Sequence, residues 1–231
     1  KEIGEVLKAS NVDRSKLFIT SKCWNTERGY EKTLAAFDQT LKDLQTDHLD
    51  LYLIHWPANE TQFPENWAEI NADTWRAFEE IYKSGRVKSI GVSNFLVEHL
   101  EALLETAKVI PAINQIEFHP GYWQQEVKEY CDNKNIIVEA WSPLARGRVF
   151  NNELLQKIAE KHKKSIPQIC LKWCLQHHVI PIPKSTTVDR SIDNIDIFDF
   201  ELTEKEMLEI NEIPQIGFSG ELPNEWPDRL P

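Results

Sequence analysis

Six short apolar runs punctuate the chain: Leu17–Ser21, Leu49–Ile54, Val87–Val92, Ala112–Ile116, Ile136–Ala140 and Val179–Pro183. They are nearly continuous in Leu, Ile, Val and Phe, as expected of strands buried on both faces of a parallel sheet. Between them lie stretches with apolar residues at helical spacing: Thr33–Leu44, Trp75–Ser84, Leu96–Ala107, Gln124–Asn133, Asn152–His162 and Ile166–Gln176. An amphipathic helix, Lys1–Ala9, precedes the first run. A last helix, Thr203–Ile213, is opened by Thr203 with Glu206 three residues on, a capping box. Gly85 and Asn133 read as helix stops. Successive runs begin 24 to 43 residues apart, room for the crossover helix that joins parallel strands.

Each run ends on polar or aromatic residues with chemical capacity: Lys22, His55, Ser93 with Asn94, Gln115, Trp141 with Ser142, and Lys184 with Ser185. Functional side chains gathered at the strand ends describe the upper face of a (β/α)8 barrel, the TIM barrel. The chain supplies six strands, so the expected fold is an α/β barrel domain over 1–231, lacking the first two strand–helix units. No Asn-Gly or Asp-Gly dipeptide marks a hairpin. No GxGxxG supports an open, doubly wound sheet. Pro57–Asp73 reads as a long polar loop and Phe218–Pro231 as a proline-rich tail, either able to rim a pocket.

Composition narrows the partners. With 231 residues and 41% apolar content the chain can bury one sizeable core. A net charge of −11 argues against nucleic acid or an anionic membrane surface, both of which need clustered Lys and Arg. No apolar stretch is long enough to span a membrane and no signal peptide opens the chain. The absence of an initiator Met, with a helix stripe at the outset, suggests a fragment. The four cysteines, Cys23, Cys131, Cys170 and Cys174, form no CxxC and no disulfide framework, pointing to reduced thiols and a cytoplasmic protein. Cys170 and Cys174 are one turn apart on a helix that reads as core, and no metal site is expected.

By themselves the strand-end residues leave two readings each. Lys22 could be a surface lysine whose stem lies along apolar neighbours, and His55 a satisfied structural histidine. Period-two alternation puts His55 with Leu53 and Leu51, and Lys22 with Thr20 and Phe18. If both faces point inward on neighbouring strands, ammonium and imidazole meet.

Six motifs then resemble the aldo-keto reductases across essentially the whole chain: Ile19-Thr20-Ser21-Lys22, Leu53-Ile54-His55-Trp56-Pro57, Ile90-Gly91-Val92-Ser93-Asn94-Phe95, Asn114-Gln115-Ile116-Glu117-Phe118-His119-Pro120, Trp141-Ser142-Pro143-Leu144, and Ile182-Pro183-Lys184-Ser185 followed by Arg190 and Asp193-Asn194. The tryptophan before Ser-Pro-Leu is most similar to the prokaryotic branch containing 2,5-diketo-D-gluconate reductases. The resemblance implies hydride transfer between NADP(H) and an aldehyde or ketone, a keto-sugar or small carbonyl compound. It casts Lys22 and His55 as catalytic. It gives Ser93, Asn94 and Gln115 to the nicotinamide carboxamide and Trp141 to stacking on the ring. Ser142 and Leu144 fall in the next cofactor loop, Lys184, Ser185 and Arg190 in the 2′-phosphate site, and Asp193 and Asn194 at adenine. Trp24, Asn25 and Trp56 would line the substrate pocket. The family's proton-donor tyrosine and its aspartate lie ahead of Lys1 in that pattern, and Tyr52, three residues before His55, should face away from it. Glu117 is expected to be a buried carboxylate paired with Lys22. Ala145-Arg146-Gly147 departs from the family's glycine-rich turn, and Asp193 replaces a more usual glutamate. The implied protein is a monomer when complete. The alternative is a noncatalytic nucleotide-binding or structural protein on the same scaffold.

Overall fold

A computed structural model describes residues 1–225. The described residues fall into two compact units, 1–114 with 222–225, and 115–221. The tail expected at Phe218–Pro231 therefore lies partly, from 226 on, outside the described residues.

The first unit contains α1 (Glu2–Ala9), β1 (Thr20–Cys23), α2 (Tyr30–Leu44), β2 (Leu49–Ile54), α3 (Trp67–Lys83), β3 (Val87–Ser93) and α4 (Val97–Leu104). Strand β4 (Ile113–Glu117) runs from this unit into the next. β1 pairs in parallel with β2, and β2 with β3. Every residue of β2 is buried, which explains its unbroken apolar run. On one face Leu51 and Leu53 pack with Ile113. On the other, Tyr52 stacks on Phe78, ring centres 4.7 Å apart, and meets the edge of Phe37. Gly91 stands opposite Leu53, and a Cβ there would lie 2.5 Å from the Ile113 carbonyl oxygen. Only a residue without a side chain lets the strands approach so closely at this point.

Asp50 interrupts the apolar run of β2 with a buried carboxylate. It accepts bonds from Lys88 (2.7 Å), Arg14 (2.8 Å) and the Ile19 N–H (2.8 Å). Burial alone would raise its pKa. Lys88, the Ile19 amide and Arg14 overcome that and hold it at about 2.

The second unit carries α5 (Gln125–Asn133), β5 (Ile137–Trp141), α6 (Glu153–His162), α7 (Ile166–Gln176), β6 (Val179–Pro181), α8 (Val188–Ile195) and α9 (Glu204–Asn211). β5 and β6 pair in parallel, Val138 with Val179 and Ala140 with Pro181. Ser165 and Gln168 form a capping box at α7, and Thr203 and Glu206 form the expected one at α9. Along α7, Cys170 and Cys174 are fully buried core, their thiols pushed up by burial, Cys170 to about 12. All four cysteines are buried and none is disulfide-bonded.

Two expectations need correction. The first strand lies at Thr20–Cys23, so Lys22 sits within the ladder instead of beyond it. Ile19 uses its N–H on the Asp50 carboxylate, and Phe18 is exposed. Helix α3 begins at Trp67, shortening the loop expected to reach Asp73. Its first buried turns carry Asn71 and Thr74, and Asn71 bonds both the N–H and the carbonyl of Ala58. The buried stripe is polar there, so apolar spacing does not reveal it. Helix α8 is a further helix, beyond those expected from the apolar spacing. Helix α5 ends at Asn133 as expected, with Asn135 taking the left-handed conformation (φ 57°) just beyond it. Gly85 (φ 76°) does follow the last turn of α3.

Candidate active site

In the first unit the register brings the candidate catalytic groups onto one face. Lys22 on β1 is paired with Leu53 on β2, and His55 lies two residues past Leu53. The His55 N–H extends the ladder by donating to the Cys23 carbonyl at 3.1 Å. Trp24 meets the imidazole edge-on, ring centres 4.8 Å apart. From the end of β3, the Asn94 side-chain amide donates to the His55 carbonyl at 3.0 Å and to Ser93 Oγ at 3.2 Å. Asn94 takes a left-handed conformation (φ 63°) to do so, a strain that asparagine tolerates better than most residues. Ser93 and Asn94 thus fix the backbone that presents His55.

Burial, with the charge of Lys22 second, pushes the His55 pKa down to about 4. The imidazole is therefore neutral near pH 7 and can donate a hydrogen bond without carrying charge. Burial likewise takes His99, inside α4, to about 4. Both groups bind a proton less readily folded than unfolded, where the ordinary value is 6.5. Their contribution to stability is complete above pH 6.5 and is lost as pH falls toward 4. Urea midpoints followed from pH 7 to pH 5 should fall with an uptake approaching two protons on unfolding. A flat profile across that window would contradict the burial of both imidazoles.

The three residues expected along the substrate pocket take different settings. Trp24 touches His55, Trp56 is buried, and its carbonyl accepts from the Arg28 guanidinium. Asn25 is buried with neither side-chain polar atom hydrogen-bonded, and it borders a cavity of about 590 Å³ with Arg28 and Glu69. Tyr52 points away from His55, as its alternation requires. The unit's other tyrosines also turn elsewhere: Tyr30 bonds Glu80, and Tyr82 is exposed on α3.

In the second unit, Gln115 on β4 donates to Glu139 on β5 at 2.7 Å, both buried. Glu139 was not anticipated, although it is the one acid in the run Ile136–Ala140 and shares a strand face with Trp141. Glu117 is buried, accepting from the Ser219 N–H (3.0 Å) and Oγ (2.7 Å), with His119 Nε2 at 3.3 Å. Within the second unit Glu117 is thus held by Ser219 and His119.

Past Trp141 the backbone turns through left-handed conformations at Ser142 (φ 50°), Ala145 (48°) and Arg146 (53°). Strain of this kind concentrates at functional sites. The loop bounds a cavity of about 520 Å³ lined by Ser142, Leu144, Arg146, Gly147, Phe150 and Lys184, among others. Ser185 Oγ donates to the Thr187 carbonyl, and Thr187 caps α8. Arg190, Asp193 and Asn194 follow at i, i+3 and i+4 spacing, on one face of an exposed helix. Among the described residues no cluster of three or more His, Cys, Asp or Glu could hold a metal ion.

The profile of the Aldo/keto reductase family matches residues 1–215. The chain belongs to the aldo/keto reductase family. It is 50% identical over 223 residues to glyoxal reductase of Bacillus subtilis (strain 168), covering 96% of this chain and 78% of that one. Among solved structures, a putative 2,5-diketo-D-gluconic acid reductase B superposes with a TM-score of 0.87 at 30% identity, covering 98% of this chain and 79% of the other. The Bombyx mori aldo-keto reductase in complex with NADP superposes at 0.82 with 34% identity, over 93% of this chain and 74% of that one. The α/β fold class, with six strands of a (β/α) barrel, agrees with the family assignment.

Proposed function

We propose that this aldo/keto reductase uses NADPH to reduce an aldehyde or ketone, a keto-sugar or small carbonyl compound, to the alcohol. The observation that carries the reading is the Lys22–His55 pair, held in register on one face of two parallel strands, with a neutral imidazole. His55 would donate a hydrogen bond to the substrate oxygen as negative charge develops on it. Lys22 would lower the pKa of a phenol, keeping the proton transferable at neutral pH. By the family pattern that phenol belongs to a tyrosine ahead of Lys1. The first unit's own tyrosines face away from the pair.

The second unit offers the chemistry of a dinucleotide site. Lys184 and Arg146 set two cations around a cavity, which suits phosphate oxygens. We assign Lys184, Ser185 and Arg190 to the 2′-phosphate and Asp193 with Asn194 to adenine. Gln115, Ser93 and Asn94 would hold the carboxamide, Trp141 would stack on the nicotinamide, and Ser142 and Leu144 would border the cofactor loop. When bound, NADPH supplies the hydride. Trp24, Asn25 and Trp56 are assigned to the substrate side. Four cysteines outside any disulfide fit a reducing compartment, and we propose a cytoplasmic monomer. No helix among the described residues is long and apolar enough to cross a membrane.

The full-length protein should consume NADPH, followed at 340 nm, when given small aldehydes or keto-sugars. NADPH binding with no turnover across such a panel would instead favour the noncatalytic nucleotide-binding reading, for which the outward-turned tyrosines of the first unit speak.

A further inference from the structure

The loop after Trp141 is clasped by residues 216–221. Arg148 donates to the carbonyl oxygens of Phe218 (2.6 Å) and Gly217 (3.4 Å). Gly217 lies so close that an added Cβ would sit 2.7 Å from the Ala145 Cβ. This strap is itself anchored, because Ser219 gives two bonds to buried Glu117 and its Oγ accepts the Glu221 N–H. The strap therefore delivers Glu221 to a fixed place, where its carboxylate meets the Arg146 guanidinium at 3.3 Å. Arg146 also borders the cavity that holds Lys184. The guanidinium that meets the Glu221 carboxylate thus belongs to one of the two cationic residues lining this cavity.

We propose that Arg146 binds the dinucleotide's pyrophosphate and that Glu221 competes for the same guanidinium, so that Glu221 sets how readily the nucleotide leaves. This rests on the dinucleotide reading above. The Arg146–Glu221 contact is half-exposed, and ion pairs of that kind are cheap to break. A pyrophosphate offers more charge and matches the planar fork of arginine bidentately, so it wins when present. The strained backbone of Ala145 and Arg146 holds the guanidinium between both partners. The strap keeps its other contacts during the exchange, because neither Ser219 nor Arg148 takes part in it.

Equilibrium binding of NADPH and NADP⁺, read by protein fluorescence, and nucleotide dissociation rates test this on the full-length protein. Glu221→Gln should tighten binding about fivefold through slower dissociation, the scale of one surface ion pair. Arg146→Met should weaken it about tenfold, Arg146→Lys should recover part of the loss, and Glu221→Gln should have no effect when added to Arg146→Met. Weaker or unchanged binding in Glu221→Gln, or an effect that persists in the double variant, would overturn the exchange. Lys184→Met separates the two levels. If Lys184→Met abolishes the preference for NADPH over NADH while the Arg146 and Glu221 variants bind like the parent, the competition alone is wrong. If the parent binds neither nucleotide, both readings fall.

Discussion

Replacing Lys22 by Met should lower kcat/KM for aldehyde reduction by roughly three orders of magnitude, in the range that general acid–base groups supply. NADPH affinity should stay within about twofold. Lys22 acts on the proton donor's pKa, so its loss belongs to the chemical step and should appear mainly in kcat. His55→Ala should cost roughly a hundredfold or more, as loss of a positioned donor to a developing oxyanion does. The double variant should fall little below the worse single one, because the two groups serve one proton and one oxygen. Lys22→Met carries a second signature. The ammonium helps to depress the His55 pKa, so NMR titration of the imidazole should show it rising from about 4 in the variant. Turnover unchanged in both single variants would remove these roles.

Charge removal at the proposed 2′-phosphate site should be felt by one cofactor and not the other. Lys184→Ala and Arg190→Ala are each expected to weaken NADPH binding by about tenfold to a hundredfold, the value of a charge-assisted hydrogen bond of ~1.5–3 kcal/mol. NADH, lacking the phosphate, should bind each variant like the parent. Both side chains are exposed, Arg190 in the first turn of α8, so little packing is lost with them. Competition binding with the two nucleotides measures the ratio directly. Equal losses for NADPH and NADH would place the phosphate elsewhere.

Much of this arrangement was legible in the chain because a two-residue period carries its own geometry. Leu49–Ile54 reads as a buried strand and is one, and the alternation that groups His55 with Leu53 meets a register pairing Leu53 with Lys22, so the two residues share a face. What escaped did so for identifiable reasons. The start of α3 hides behind Asn71 and Thr74, buried polar residues that bond backbone and neighbours. Helix α8 buries nothing, yet Val188, Ile192 and Ile195 recur at i, i+4 and i+7 behind the Thr187 cap, a signal diluted by the charges between them. Glu139 was hidden because a single acid in an apolar strand has no partner in sequence, and Gln115 reaches it only through the fold. The 216–221 strap has no periodicity at all, since its contacts are glycine approaches and backbone carbonyls.

The sulfur chemistry of the protein has a bearing on the company it keeps. Carbonyl compounds add to thiolates to give hemithioacetals, so a reductase that meets them is open to modification at reactive sulfur. Here every cysteine is shut away from water, and burial drives the Cys23 thiol to about 11 and Cys170 to about 12. At neutral pH Cys23 and Cys170 therefore stay in the poorly nucleophilic thiol form. The sulfur of the folded chain is thereby withheld from the carbonyl compounds it is proposed to reduce, and unfolding would expose it.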